Sequence, residues 1–267
     1  MKKILAMSTF CVDIYPDKNT YHVGGNALNL AVNCAKTGNA EVYLMGSVGN
    51  DAYGEQIREA AVLHNLNHTH LYTIEGETAS NKVYLTETGD RYFKNDSWTD
   101  GVIRKFKISP NDEKLIREVD AVATTLNDGL ILAIAEAKPQ LLSVDFMEHT
   151  PSDKWSEYFS VIDLFFISAD KSGLFSTSDN LLKKWSCEYP DVVFVATLGA
   201  NGSIAFKNDE EFHCEAVKVD EVVDTTGCGD SYQGAFIVEY LNSGDISAAM
   251  KAGAKSASIT LSHVGAI

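Results

Sequence analysis

Short β-rich runs alternate with helical patterns along most of this chain, and that alternation limits the fold more than any other feature. Apolar runs at Lys3–Met7, Glu41–Met45, Ala121–Thr125, Leu141–Asp145, Leu164–Ile167 and Val192–Ala196 read as strands. Helical periodicity falls at Ala27–Lys36, Tyr53–Leu63, Asp112–Val119, Trp155–Val161, Asn180–Ser186, Ser231–Leu241 and Ile246–Ser262. A helix between two strands carries the chain back to start the second strand parallel to the first. The series therefore predicts an α/β fold with a mostly parallel central sheet covered by helices on both faces, three layers in all. With 267 residues, 45% of them apolar, one domain over 1–267 can bury its own core.

One region breaks the alternation. From Thr69 to about Trp98, segments such as Lys82–Thr86 and Arg91–Phe93 read as hairpin strands, with the turn signal Glu87-Thr88-Gly89-Asp90 between them. Together with the stretch from Cys11 to Val23 they predict a small β lid, its elements at about 11–23 and 69–98. An exposed hairpin sheet has edges to cover, so the lid is expected to pack on the active site or to form a homodimer. Trp98 and Tyr92 in this region either stack on a ligand or cover the core.

Charge and cysteine usage narrow the function classes. A formal charge of -15 argues against nucleic acid or an anionic membrane as main partner. No stretch approaches the roughly 18 apolar residues that span a bilayer. The five cysteines include no C-x-x-C pair, so neither a disulfide framework nor a thiolate zinc site is expected, and a reducing cytoplasm fits. His64, His68 and His70 are separated by asparagines that suggest a helix end and loop, and they read as exposed rather than as zinc ligands.

The strongest chemical signal is Asp224-Thr225-Thr226-Gly227-Cys228-Gly229-Asp230-Ser231, which opens a helical apolar pattern. Two glycines spaced by one residue let the backbone turn tightly and aim successive N–H groups into one concavity at a helix start, where an anion is held. Asp230 stands at the lip of the same helix and can take a proton from an attacking alcohol. Thr197-Leu198-Gly199-Ala200-Asn201-Gly202-Ser203 follows a strand and is either a surface over which a nucleotide lies or an ordinary β-turn. Gly24-Gly25-Asn26-Ala27-Leu28-Asn29 opens the first long helix, and Asn29 carries an amide that both donates to and accepts from hydroxyls. Considered alone, that stretch is a helix entry and Asp13 a loop carboxylate.

The ordered set resembles the PfkB/ribokinase family, whose D-T-x-G-A-G-D signature has Ala where this chain has Cys228. The resemblance implies a single ribokinase-like kinase domain that uses ATP and Mg²⁺. It implies catalytic roles for Asp230, Gly227, Cys228 and Gly229, and a nucleotide site at Thr197, Gly199, Gly202, Thr225, Gly227 and Gly229. Asp13, Gly24, Gly25 and Asn29 would hold the sugar. Within the family, Cys11-Val12-Asp13-Ile14-Tyr15-Pro16, Gly24-Gly25-Asn26-Ala27 and Asp96-Ser97-Trp98-Thr99-Asp100-Gly101-Val102 are most similar to the fructoselysine (fructosamine) 6-kinases. The acceptor is then the 6-hydroxyl of a glycated amino acid, whose carboxylate Arg91 would meet; the other reading of Arg91 is an exposed hairpin charge. Another sugar or nucleoside acceptor such as fructose or ribose stays open, as does a sugar-binding protein without transfer. Two departures stand out. Ser8-Thr9 replaces the family's Gly-Asp pair, and Ser168-Ala169-Asp170-Lys171 stands in for its N-x-x-E motif, which leaves the magnesium environment undefined.

Overall fold

Successive side chains of a strand point to opposite faces, and the first strand, β1 (Lys2–Met7), divides its residues accordingly. Ile4 and Ala6 enter one apolar cluster while Leu5 and Met7 enter another. A computed structural model describes residues 1–86, 91–126, 129–169 and 181–267. After β1 the chain runs through β2 (Cys11–Tyr15), β3 (Thr20–Gly24), α1 (Asn26–Lys36), β4 (Ala40–Gly49), α2 (Ala52–Leu63) and β5 (Asn67–Ile74). Four short strands follow: β6 (Ala79–Lys82), β7 (Tyr84–Leu85), β8 (Arg91–Tyr92) and β9 (Trp98–Thr99). Then come α3 (Pro110–Glu118), β10 (Ala121–Thr125), α4 (Ile131–Glu136), β11 (Leu142–Asp145), α5 (Ser156–Phe159), β12 (Leu164–Ser168) and α6 (Leu181–Glu188). The chain ends with β13 (Val193–Thr197), β14 (Ser203–Lys207), β15 (Glu210–Cys214), α7 (Cys228–Ser243) and α8 (Ile246–Thr260).

Among the described residues, nine strands form the main sheet in the order β15-β14-β13-β12-β11-β10-β1-β4-β5. All its pairs are parallel except β13–β14 and β14–β15. Helices α1, α2, α7 and α8 close one face, where Leu28, Ile57, Phe236 and Met250 pack. On the other face α3 to α6 cover an aromatic group in which the Phe146 and Phe165 ring centroids lie 4.4 Å apart and Phe159 meets Phe194 edge-on at 5.2 Å. Aromatic pairs of this geometry add to the burial of their area. The three layers foreseen from the alternation are present.

The lid begins later than the sequence suggests. Asn67–Ile74 is the edge strand of the main sheet, its Gly46↔Leu71 and Ser47↔Tyr72 pairs running parallel to β4. Only Leu71 of this strand is buried, the pattern of an edge, and the chain then passes to the second sheet with no helix between. That missing helix is why the segment read as a hairpin strand. The second sheet has the order β3-β2-β6-β9, and β7 and β8 form a separate ladder pairing Tyr84 with Tyr92 and Leu85 with Arg91. The run expected over Lys82–Thr86 is thus divided between two sheets. The turn Glu87–Asp90 lies outside the described residues. Trp155–Val161 is shorter than expected, a 3-10 turn at Asp153–Trp155 followed by α5. Among the described residues, no helix is long and apolar enough to cross a membrane.

Helix α3 is anchored by a carboxylate away from the cleft. Asp112, fully buried, accepts from Ser109 N at 2.8 Å, Ser109 Oγ at 2.6 Å and Tyr72 OH at 2.7 Å, and His70 Nδ1 lies 2.6 Å from it. Burial pushes its pKa up, but the bonds from His70, Ser109 and Tyr72 outweigh burial and hold it below the ordinary value. A depressed carboxylate contributes stability that is complete above the unfolded pKa, near 4, and is lost as pH falls through the folded one. Asp112→Ala strips these donors of their acceptor and is expected to cost about 3 kcal/mol. Its loss of stability relative to the native chain should be full in urea titrations at pH 7 and shrink below pH 4. A constant difference across that range would contradict the assignment.

Candidate active site

The C-terminal ends of the parallel strands open onto a cleft of about 1640 Å³. Met7 of β1, Met45 to Ser47 of β4, Asp145 of β11, Phe166 to Ser168 of β12 and Thr197 of β13 all line it. Ligands of open α/β sheets sit at this edge, because the strands end there and loops diverge. A typical ligand pocket spans roughly 300–1,000 Å³, so this one has room for two ligands end to end.

The glycine-rich segment lines the cleft, and its shape is fixed by buried bonds. Asp224 accepts from Thr226 N at 2.8 Å, Gly265 N at 3.0 Å and Tyr15 OH at 2.8 Å. Burial raises its pKa, yet the Gly265 and Thr226 bonds prevail and keep it low, so this carboxylate stays ionised as an anchor. Gly227 caps α7 with φ 77°, in the left-handed region, and a Cβ there would collide with Ala266. Helix α7 begins at Cys228, earlier than the sequence pattern suggests. The Cys228 amide turns back to Thr225 O at 3.3 Å, which leaves the amides of Gly229 and Asp230 in a first turn where the helix offers no acceptor. A Cβ on Gly229 would meet open space.

Asp230, 7% exposed, is held from the opposite wall by α1. Asn26 Nδ2 donates to one carboxylate oxygen at 2.9 Å and Asn29 Nδ2 to the other at 2.8 Å. Burial raises its pKa, while these two bonds and the Arg91 charge pull it back only in part. Asn26 opens α1 because Gly25, at φ 92°, turns the chain past Thr9 where a Cβ would strike the Thr9 carbonyl. At Gly24 a Cβ would lie 2.9 Å from Asp13 Oδ2 and 3.2 Å from Asn29 Oδ1, so the missing side chain lets those two groups approach. Asn29 Oδ1 is buried and has no hydrogen-bond partner.

Asp13 sits on β2 with its carboxyl pushed up to about 7, chiefly by burial and further by Asp230 and Asp224, with Arg91 opposing. Arg91 is not a free hairpin charge. Its guanidinium pairs with Glu148 at 3.2 Å, its backbone N–H donates to Thr225 Oγ1 at 3.2 Å, and its Nε is buried without a partner. Burial works against its charge, but Glu148, Asp230 and Asp13 more than compensate. Asp145 is also pushed up to about 7, mainly by burial with Asp230 adding, while the Met147 N–H and Gln233 oppose.

Asp13, Gly25, Arg91, Thr197, Gly199, Gly202, Thr225, Gly227, Cys228, Gly229 and Asp230 all line this one cleft. Gly24 and Asn29 lie behind its wall and act through the neighbours just described. Asp170 and Lys171 lie outside the described residues, and with them the departure from the N-x-x-E motif. Three residues that sequence reasoning left without a role belong to the site: Asn26, Asp145 and Glu148. Asp145 carried a usable signal, an acidic residue at the end of a parallel strand; Glu148 carried none.

The pfkB family carbohydrate kinase model matches residues 6–267. A fructoselysine 6-kinase from Shigella flexneri is 30% identical over 268 residues, covering 100% of both chains. Fructosamine kinase FrlD from Bacillus subtilis (strain 168) is 28% identical, with 99% of this chain and 92% of that one aligned. Among solved structures, Arabidopsis thaliana ribokinase complexed with ribose and ATP superposes with a TM-score of 0.80 at 19% identity, covering 99% of this chain and 93% of that one.

Proposed function

Because the chain belongs to the pfkB family of carbohydrate kinases, we propose that it is the kinase of a fructosamine, transferring the γ-phosphate of ATP to the 6-hydroxyl of fructoselysine or a close relative. The observation that carries the transfer is the buried Asp230 carboxylate, gripped by Asn26 and Asn29 in the first turn of α7. The choice of acceptor is supported by the full-length similarity to a fructoselysine 6-kinase and to a fructosamine kinase.

The residues fit a nucleotide. Gly229 leaves open space where a side chain would otherwise enter the cleft, and Thr197, Gly199 and Gly202 line its far end. Thr225, Gly227 and Gly229 would hold the phosphates, which the aligned ribokinase also accommodates as part of bound ATP. Among the described residues, no group of three or more His, Cys, Asp or Glu is gathered to hold a metal. Magnesium usually keeps several waters and one or two carboxylates beside the phosphates, and Asp145, which lines the cleft, would supply one of them. ATP supplies the phosphoryl group, and Mg²⁺ neutralises part of its charge.

Asp13 orients the sugar, and Asn29 acts from behind the wall by holding the Asp230 carboxylate. Asp230 receives the proton of the attacking hydroxyl on a carboxylate oxygen as that hydroxyl turns nucleophile. Amides of the first helical turn face the negative charge that spreads over the transferring group, and Arg91 adds a fixed positive charge from the β7–β8 ladder. The ladder that carries Arg91 also screens the centre from water.

Turnover with a panel of acceptors tests the reading. ADP release should be highest with fructoselysine and low with ribose, fructose and nucleosides. Activity on ribose without activity on any fructosamine would overturn it, and sugar binding with no ADP from any acceptor would make the chain a binding protein. The pH profile is a second check. Asp13 and Asp230 are both raised and both act ionised, so kcat/KM should climb as pH rises through about 7 and flatten above it. A profile flat from pH 5.5 to 8 would count against these roles.

A further inference from the structure

The cleft continues past the sugar position, away from the nucleotide end. Strand register defines the direction: Asp13 of β2 pairs with Asn81 of β6, and Asn81 pairs with Trp98 of β9. Paired residues in adjacent strands share a face, and all three line the cleft. Two strand spacings separate Asp13 from Trp98, about 10 Å, the reach of an extended lysyl chain. The Trp98 ring is held in place by its Nε1, which donates to Asp100 Oδ1 at 2.7 Å. The same cleft is walled by Met45, Ile103 and Phe106, apolar groups suited to methylenes, and by the exposed Arg104 and Lys107.

The cations of the cleft are unequal. Arg91 is paired with Glu148, and Arg104 lies 2.6 Å from Asp100. Lys218 belongs to the other end, following β15 with Ala216 and Val217. Lys107, exposed in the same cleft, makes no ion pair with any described residue. In a chain of net charge -15, an unpaired ammonium in a cleft with apolar walls is a place for an anion.

We propose that this arm is a subsite for the amino-acid portion of the acceptor: Asn81 and Trp98 border its side-chain methylenes, and Lys107 binds its free α-carboxylate. The subsite rests on the fructosamine reading and moves the carboxylate contact from Arg91, whose charge is already engaged at the reaction centre, to Lys107. It makes the substrate a glycated free amino acid, with the carboxylate within reach of Lys107.

Two acceptors that differ only in that group provide the test, fructoselysine and fructosyl-cadaverine, the same molecule without its carboxylate. ADP release with the native enzyme should give a KM about tenfold lower for fructoselysine, as a charge-assisted bond would. Lys107→Met should bring the ratio of the two KM values to about one, and Lys107→Arg should keep most of it. Equal KM values in the native enzyme, or a ratio untouched by Lys107→Met, would overturn the subsite while leaving fructosamine phosphorylation in place. If neither fructosamine is phosphorylated and another sugar is, the fructosamine reading falls and the subsite with it.

Discussion

Replacing Asp230 with Asn is expected to lower kcat roughly 1,000-fold, the scale of a lost general base, while ATP binding survives. The substitution keeps shape and removes only the charge and one acceptor. Asn26 and Asn29 each donate to a separate carboxylate oxygen, so a carboxamide in that place would point its NH₂ at one of them. Asn29 can relieve this by rotating its own amide, because its Oδ1 has no partner to lose. The fold should hold: a buried carboxylate with a raised pKa is a cost to stability near neutral pH, and making it neutral removes that cost. Thermal unfolding at pH 7 should therefore show Tm unchanged or slightly higher, alongside the collapse in turnover. Near-native turnover in Asp230→Asn would remove the proton-accepting role and leave the residue as a link between α1 and α7.

The sheet and its layers were legible in the sequence because continuous apolar runs and helical patterns alternate wherever a strand is buried on both faces. Where the chain leaves that regime the reading failed. Asn67–Ile74 alternates like a hairpin strand because it is an edge, buried at Leu71 alone. Of the site, the glycines and Asp230 could be found because backbone geometry near an anion admits few residue types. Asn26 stood in plain view beside Gly25, but its use depends on α1 and α7 crossing, a contact between residues some 200 positions apart. Glu148 lay beyond sequence reasoning for the same reason, since its partner Arg91 comes from another sheet.

Gly227 and Gly229 separate two reasons for a glycine, and substituting each by Ala should break function in different ways. At Gly227 the backbone is left-handed and a Cβ would drive into the Cβ of Ala266, which belongs to the C-terminal segment that also supplies Gly265 N–H to Asp224. Gly227→Ala must shift that segment or flatten the turn, and either loosens the Asp224 anchor. Strain at a positive φ plus overpacking costs about 2–4 kcal/mol, so Tm should fall by several degrees and ATP KM rise as the loop spreads. At Gly229 the backbone is helical and the position open, so Gly229→Ala should leave Tm within about a degree, or raise it, since Ala favours a helix over Gly by up to about 1 kcal/mol. Its methyl group stands where the transferring phosphate would approach the first-turn amides. Losing one such donor lowers kcat by about 100- to 1,000-fold. A Gly229→Ala enzyme that is both stable and fully active would mean that the phosphate does not pass over the start of α7, and the catalytic role given to that turn would have to be abandoned.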